Sequence, residues 1–393
     1  MTRIPPPLRT LAWTVYLGMS WTWCVGMFLP VVLYREFGFA AWVAITIPNV
    51  IGAASVGFAF ARAGTSAAVV AAHREAVVGF SAVTLAFHAF FLFWLSHAGL
   101  IPPVAAAAAV AIGLCVGLVR RRSVGVDLLL GLAVLAVSAT VMAHGLAHFG
   151  RAELVPPHPP GTPTGMAGLS VVCAFGFLCC PYLDATFHRA CQSLAPNPKR
   201  MAFGVGLGVV FLSMIAGTML YAGDFNAGFT GAFTRAGIGT WVATHLCVQC
   251  GYKWAVHLRA LPAWRRVDGA IWAVALATAG VFPVGIVAGA GLGADYPDGL
   301  ILHGQVYYRI FMSFYGLLFP AYVWLCMVPL PGRPAPGATR RSLAVLALAV
   351  AVAAPMYWVG FLMDRWSWIL VGVGVLLAAR ALVPPRPEVS RPA

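Results

Sequence analysis

Charge is what this chain has least of. Of 393 residues only 9% are Asp, Glu, Lys or Arg, and only 11 are acidic, where an ordinary soluble domain carries roughly 25% charged residues. That deficit excludes a soluble globular fold and a disordered chain, since both depend on charge to remain in water. No long polar segment interrupts the sequence, so no soluble unit of the size that couples nucleotide hydrolysis is present. Phosphate loops, kinase signatures, hydrolase elbows and zinc-protease motifs do not occur. The Cys-x-x-Cys-His attachment of a covalent haem is missing too. Cysteine is sparse and odd in number, nine in all, which excludes a complete disulfide framework; most lie in apolar runs as small hydrophobes.

What remains is overwhelmingly apolar: 61% hydrophobic and 12% aromatic residues, with 42 Gly and 28 Pro. Runs of about 20 apolar residues, each able to cross a hydrocarbon core of about 30 Å as a helix, fill the chain. They predict an all-α polytopic membrane protein of about 12 helices, near residues 10–34, 39–62, 75–98, 102–119, 125–148, 166–189, 201–222, 236–258, 268–292, 302–328, 342–362 and 366–384. The first run, from about Leu11 to Tyr34, exceeds the roughly 7–15 residues of a signal-peptide core and is read as a retained helix.

The net charge of +14 is a topology signal. Twenty of the 25 Lys and Arg residues fall at the N-terminus, in even-numbered connections or at the C-terminus. Short translocated loops are depleted of such residues, so both termini are expected in the cytoplasm, in a bacterial inner membrane. Partners are then the lipid bilayer and a small-molecule substrate, with nucleic acid excluded.

Two segments echo each other. Gly26 to Pro30 interrupts the first helix, and Gly176 to Pro181 the sixth, about 150 residues on. An offset of five helices is odd, so the second unit enters the membrane from the opposite face, giving an inverted repeat. One integral domain is expected, with a first repeat near 9–150, a second near 164–331 and two extra helices near 341–385. Proline withholds a backbone donor, so Pro30 and Pro181 are expected to break these helices and free carbonyls at membrane depth.

This pattern resembles the LeuT-type fold of five plus five inverted helices, and the segment Cys180-Pro181-Tyr182-Leu183-Asp184-Ala185-Thr186 is similar to sodium:solute symporter-like proteins. Gly26-Met27-Phe28-Leu29-Pro30 and Pro48-Asn49-Val50-Ile51-Gly52 add to the likeness. The resemblance implies alternating access, with substrate between the broken first and sixth helices and a sodium site between the first and eighth. There the eighth helix offers Thr240, Thr244, Cys247, Gln249 and Cys250, without the adjacent hydroxyl pair common in the family.

Asp184 is the acid placed well inside a span, where an unpaired carboxylate costs several kcal/mol. It reads either as a cation or proton site or as a structural ion pair with His188 and Arg189 on the next turn. Trp21, Trp23, Cys24, Gly26, Gly176 and Cys180 are expected to line the substrate, and Gln249 either to join them or to bond a neighbouring helix. Lys253, about five residues from a helix end, is read as snorkelling to the interface. Asn49 is expected to serve carbonyls freed by Pro48, and Arg309 to face a vestibule or a loop acid. The expected function is ion-driven transport of a small polar solute, with no catalysis, no cofactor and sodium or a proton as coupling ion. The alternative is a membrane redox or metal protein using His144 and His148, four apart on one helix, with His88 and His245 as further metal or haem ligands.

Overall fold

The computed structural model describes residues 5–119, 124–149, 161–222, 238–263, 265–291, 299–329 and 334–383, and those residues contain helices and no strand. In chain order they are α1 (Pro6–Trp21), α2 (Cys24–Phe37), α3 (Phe39–Ala59), α4 (Thr65–Ala72), α5 (Arg74–His97), α6 (Pro103–Leu118), α7 (Val124–Phe149), α8 (Pro163–Cys179), α9 (Ala185–Ser193), α10 (Pro196–Leu220), α11 (Ile238–Ala260) and α12 (Arg266–Gly291). Then come α13 (Gly299–Ser313, continuing through two π turns to Met327), α14 (Arg340–Leu362) and α15 (Trp368–Leu382). The Arg120–Arg122 run and the Pro-rich connection at 156–160 lie outside the described residues.

Seven of these helices are long and apolar enough to span a membrane, and the bent pair α1 and α2 makes an eighth. The expected count of twelve is approached by helices that miss the same measure for visible reasons. Two are short, α6 and α15, and α11 carries His245, Gln249, Lys253, His257 and Arg259. Side chains such as Val104, Ile112, Leu129, Val274 and Leu348 point outward with more than 60% exposure, an apolar exterior that only lipid satisfies. The chain is an integral, multi-pass membrane protein.

Packing follows the exchange that an inverted repeat of five spans demands. The second span (α3) packs along the first half of the sixth (α8), and the seventh (α10) along the first (α1). Likewise the third span (α5) packs on the ninth (α12), and the eighth (α11) on the fourth (α6). Exchanging each span for its counterpart five places away in the other repeat turns one pair into the other. Glycine permits the closest of these approaches. A Cβ at Gly52 of α3 would fall on the carbonyl of Phe177 in α8, and one at Gly206 of α10 would stand 2.6 Å from the carbonyl of Thr14 in α1.

Two spans are interrupted. The first bends by 50° between α1 and α2, where Thr22 and Trp23 leave helical geometry. The break therefore lies upstream of the expected Gly26–Pro30 segment, and Pro30 sits inside a continuous α2. In the sixth span, α8 gives way to a 3-10 turn at Cys180–Leu183 containing Pro181, then to extended Asp184, which starts α9. Here the break falls where the proline indicated.

Candidate functional site

An unbroken first span would pair the N–H of Cys24 with the carbonyl of Ser20, four residues back. At the bend both groups find other partners. Cys24 N–H donates to His88 Nε2 at 3.2 Å, and His88 is oriented for this because its Nδ1 donates to the Thr84 carbonyl at 2.6 Å. The Ser20 carbonyl accepts from Lys253 Nζ at 2.5 Å. One side chain from the third span and one from the eighth thus stand in for a helical hydrogen bond, so that no backbone group is left bare in a medium without water.

Asp184 occupies the facing break. Its carboxylate caps α9, accepting from Thr186 N–H at 2.7 Å and from the Thr186 hydroxyl at 2.6 Å. The same hydroxyl lies 3.2 Å from Ser20 Oγ, which joins the two interruptions directly. The other carboxylate oxygen is 3.5 Å from Lys253 Nζ and 3.6 Å from His257 Nε2. Asp184, Lys253 and His257 are all essentially inaccessible. A lone charge would be prohibitively expensive at this depth; a pair with its remaining atoms hydrogen-bonded is not.

Lys253 therefore does not snorkel. Its ammonium turns inward and stands 5.6 Å from the ring centres of both Trp21 and Trp23. Trp21 is pinned by donating its indole N–H to Asn49 Oδ1 at 2.7 Å, so Asn49 serves an indole and not the carbonyls near Pro48. Trp23 packs edge-on to Tyr315 at 4.6 Å and stacks near His88, while its own indole N–H is buried with no hydrogen-bond partner. Cys180 Sγ reaches the Tyr315 carbonyl at 3.3 Å. Trp21, Trp23, Cys24, Cys180 and Asp184 are thereby brought to one place.

Gly176 lies beside them, facing the same Tyr315 carbonyl that Cys180 reaches, 2.7 Å from where its Cβ would be. The other expected residues sit elsewhere. Gly26 packs against Phe211 and serves helix contact. Gln249 donates to Ser138 Oγ of α7 at 2.9 Å, one helical turn before Lys253, leaving its carbonyl oxygen without a partner. Thr244 turns its hydroxyl onto the Thr240 carbonyl of its own helix, and Thr240 is exposed, so neither joins Asp184. His188 and Arg189 also turn away. His188 bonds Ser66 and the Tyr182 carbonyl, each at 2.9 Å, and Arg189 bonds Asp127 and the Arg259 carbonyl.

The histidines of the alternative reading have separate partners. His88 holds Cys24, whereas His245 Nδ1 is 3.1 Å from Ser138 Oγ. His144 is exposed, and the side chain of His148 lies outside the described residues. Among the described residues no three His, Cys, Asp or Glu side chains are grouped as metal ligands.

Sequence reasoning passed over Ser20, Tyr315, Thr186 and His257. One signal for the last was available: His245, Gln249, Lys253 and His257 recur every four residues, a buried polar stripe on one face of α11.

Two ion-pair clusters flank the site at opposite ends of the first span. On the side where α1 begins, buried Asp127 at the start of α7 holds both Arg189 of α9 and Arg259 of α11. Where α2 ends, Arg309 of α13 holds Glu36 and Asp364 and donates to the Phe361 carbonyl at 2.7 Å. Between that second cluster and Tyr315 lies a largely apolar, partly open space bordered by α2, α8, α13, Phe361 and Trp366.

No protein-family model and no curated protein sequence matches the chain. Similar solved structures include the inward-facing conformation of Mhp1, 14% identical over 95% of this chain and 89% of that one, with a TM-score of 0.46. A mutant of the Eremococcus coleocola manganese transporter is 13% identical over 95% of this chain and 92% of that one, with a TM-score of 0.40.

Proposed function

We propose that this chain is a secondary transporter that moves a small polar solute by alternating access. The observation that carries the reading is the meeting of two interrupted spans at a buried ion pair, Asp184 with Lys253. Discontinuous helices free backbone groups from helical pairing at membrane depth; here side chains hold them, and a polar solute can exchange with those side chains as a partner. Trp21, Trp23, Cys24 and Cys180 line the solute, with the free indole N–H of Trp23 as a donor; Gln249 lies one turn away. Asp184 carries the charge that changes as access alternates.

The flanking clusters suit the same role. Arg189–Asp127–Arg259 would hold one entrance shut and Glu36–Arg309–Asp364 the other, each broken when its side opens. The two repeats, near 9–150 and 164–331, interlock by their packing, so the units that move relative to each other are the group of the first, second, sixth and seventh spans and the group of the third, fourth, eighth and ninth. On the charge bias we assign both termini to the cytoplasm, in a bacterial inner membrane, which makes the Asp127 cluster the inner one. Binding and passage require no chemical conversion, and no catalytic role is assigned.

Uptake into proteoliposomes tests the proposal. Solutes that raise the melting temperature of the purified protein are chosen first, because a ligand of the folded form stabilises it. They are then offered under imposed sodium or proton gradients, with and without Asp184→Asn. Gradient-driven accumulation that Asp184→Asn abolishes is the expected result. Coupled uptake unchanged by that substitution removes Asp184 from the mechanism.

A further inference from the structure

We propose that the Ser20 carbonyl, the Asp184 carboxylate and the faces of Trp21 and Trp23 form a binding site for small ammonium ions, which Lys253 fills from within as a tethered cation. The inference deepens the transport reading and, for its consequence in transport, rests on it. The binding site itself does not.

Each wall has the chemistry that an ammonium group recognises. The carbonyl at 2.5 Å accepts one N–H, and the carboxylate at 3.5 Å supplies the opposite charge. Two indole faces, each 5.6 Å from the nitrogen, supply the negative face of an aromatic quadrupole. Indole faces and N–H acceptors favour an ammonium ion, whereas a bare hard cation such as sodium calls for a shell of oxygens. The Ser20 carbonyl is available only because the first span breaks there and the Cys24 N–H has gone to His88. The only other titratable side chain that touches the Asp184 carboxylate among the described residues is His257. The site is therefore one cation deep, and the chain provides that cation. A carrier built this way needs no sodium ion at this position to complete each cycle.

Truncation at Lys253 reads the site directly. Lys253→Ala removes three methylenes and the ammonium, the shape of n-propylammonium. Purified Lys253→Ala is expected to show a saturable rise in melting temperature with n-propylammonium chloride that the parent protein does not show. Sodium chloride and tetramethylammonium chloride at equal ionic strength should be at least about tenfold less effective, the first lacking N–H donors and the second unable to donate. An equal response to all three salts, or none to n-propylammonium, overturns the proposal.

Should Lys253→Ala not fold, Lys253→Met fills the space without charge. It is expected to melt well below the parent, and Lys253→Met/Asp184→Asn to recover most of the loss. A Lys253→Met protein as stable as the parent overturns the tethered-cation role. Both readouts are independent of uptake, so a failure of the transport reading leaves them intact. Where a solute is transported, replacing sodium by choline should leave uptake by the parent unchanged, and a strict sodium requirement refutes the consequence drawn for transport.

Discussion

Asn in place of Asp127 removes the carboxylate that two guanidinium groups share while keeping its shape. Asp127 is fully buried, Arg259 nearly so, and the Arg189 side chain is 13% exposed. Breaking a buried ion pair by removing one partner costs about 3–5 kcal/mol. The lower end applies here, because Arg189 keeps the Arg259 carbonyl and Arg259 keeps those of Val116 and Val119 at 3.4 and 3.5 Å. About 3 kcal/mol corresponds to roughly a hundredfold shift in the equilibrium between closed and open arrangements of α7, α9 and α11, at about 1.4 kcal/mol per factor of ten. Cys191 reports that opening, being a buried thiol of α9 two residues beyond Arg189. Its modification by a maleimide, followed by peptide mass spectrometry, should accelerate by about that factor when opening limits the reaction. The melting temperature should fall with it. A labelling rate within about threefold of the parent, with unchanged stability, would show that the cluster does not hold this end of the molecule closed.

At the other end, Arg309→Gln should raise the labelling of Cys173 in the apolar space, whereas Asp364→Asn, at a side chain 62% exposed, should change it little. His88→Leu leaves the Cys24 N–H without its acceptor and should cost about 1–3 kcal/mol in unfolding or appear as lost solute binding. A melting temperature and solute affinity equal to the parent's would contradict that role. Gly52→Ala drives a methyl into the Phe177 carbonyl and should prevent a stable fold, while Gly204→Ala, with open space around its Cβ, should be neutral within about 0.5 kcal/mol by thermal melting.

Composition alone carried the solvent, the helices and their number to within a few, because lipid imposes its demand on every residue of a span. The second interruption was legible for a local reason: Pro181 lacks a donor, and Asp184 two residues before Thr186 is a sequence-level cap for α9. The first was not. Trp21-Thr22-Trp23 contains neither Gly nor Pro, and what bends the chain there comes from His88 and Lys253, 64 and 229 or more residues away. Pro30 misled for the complementary reason, since a span enclosed by neighbours carries one missing hydrogen bond without parting. Lys253 was read from its distance to a helix end, yet the break offers its ammonium a carbonyl at 2.5 Å and a carboxylate at 3.5 Å. Thr240 and Thr244 have the right chemistry on the wrong face, which no family pattern short of the helix's own rotation reveals.

Because the bend in the first span is secured by residues that emerge from the ribosome much later, that segment has no reason to be bent when it first enters the bilayer. Until the third span brings an imidazole and the eighth an amine, Ser20 and Cys24 have only each other. A nascent chain halted before Ile238 should hold residues 6–37 as one straight rod, and spin labels placed either side of Thr22 would report a longer separation than in the finished protein. The bend would then form long after the span that carries it, and its appearance would mark the arrival of the eighth span against the first.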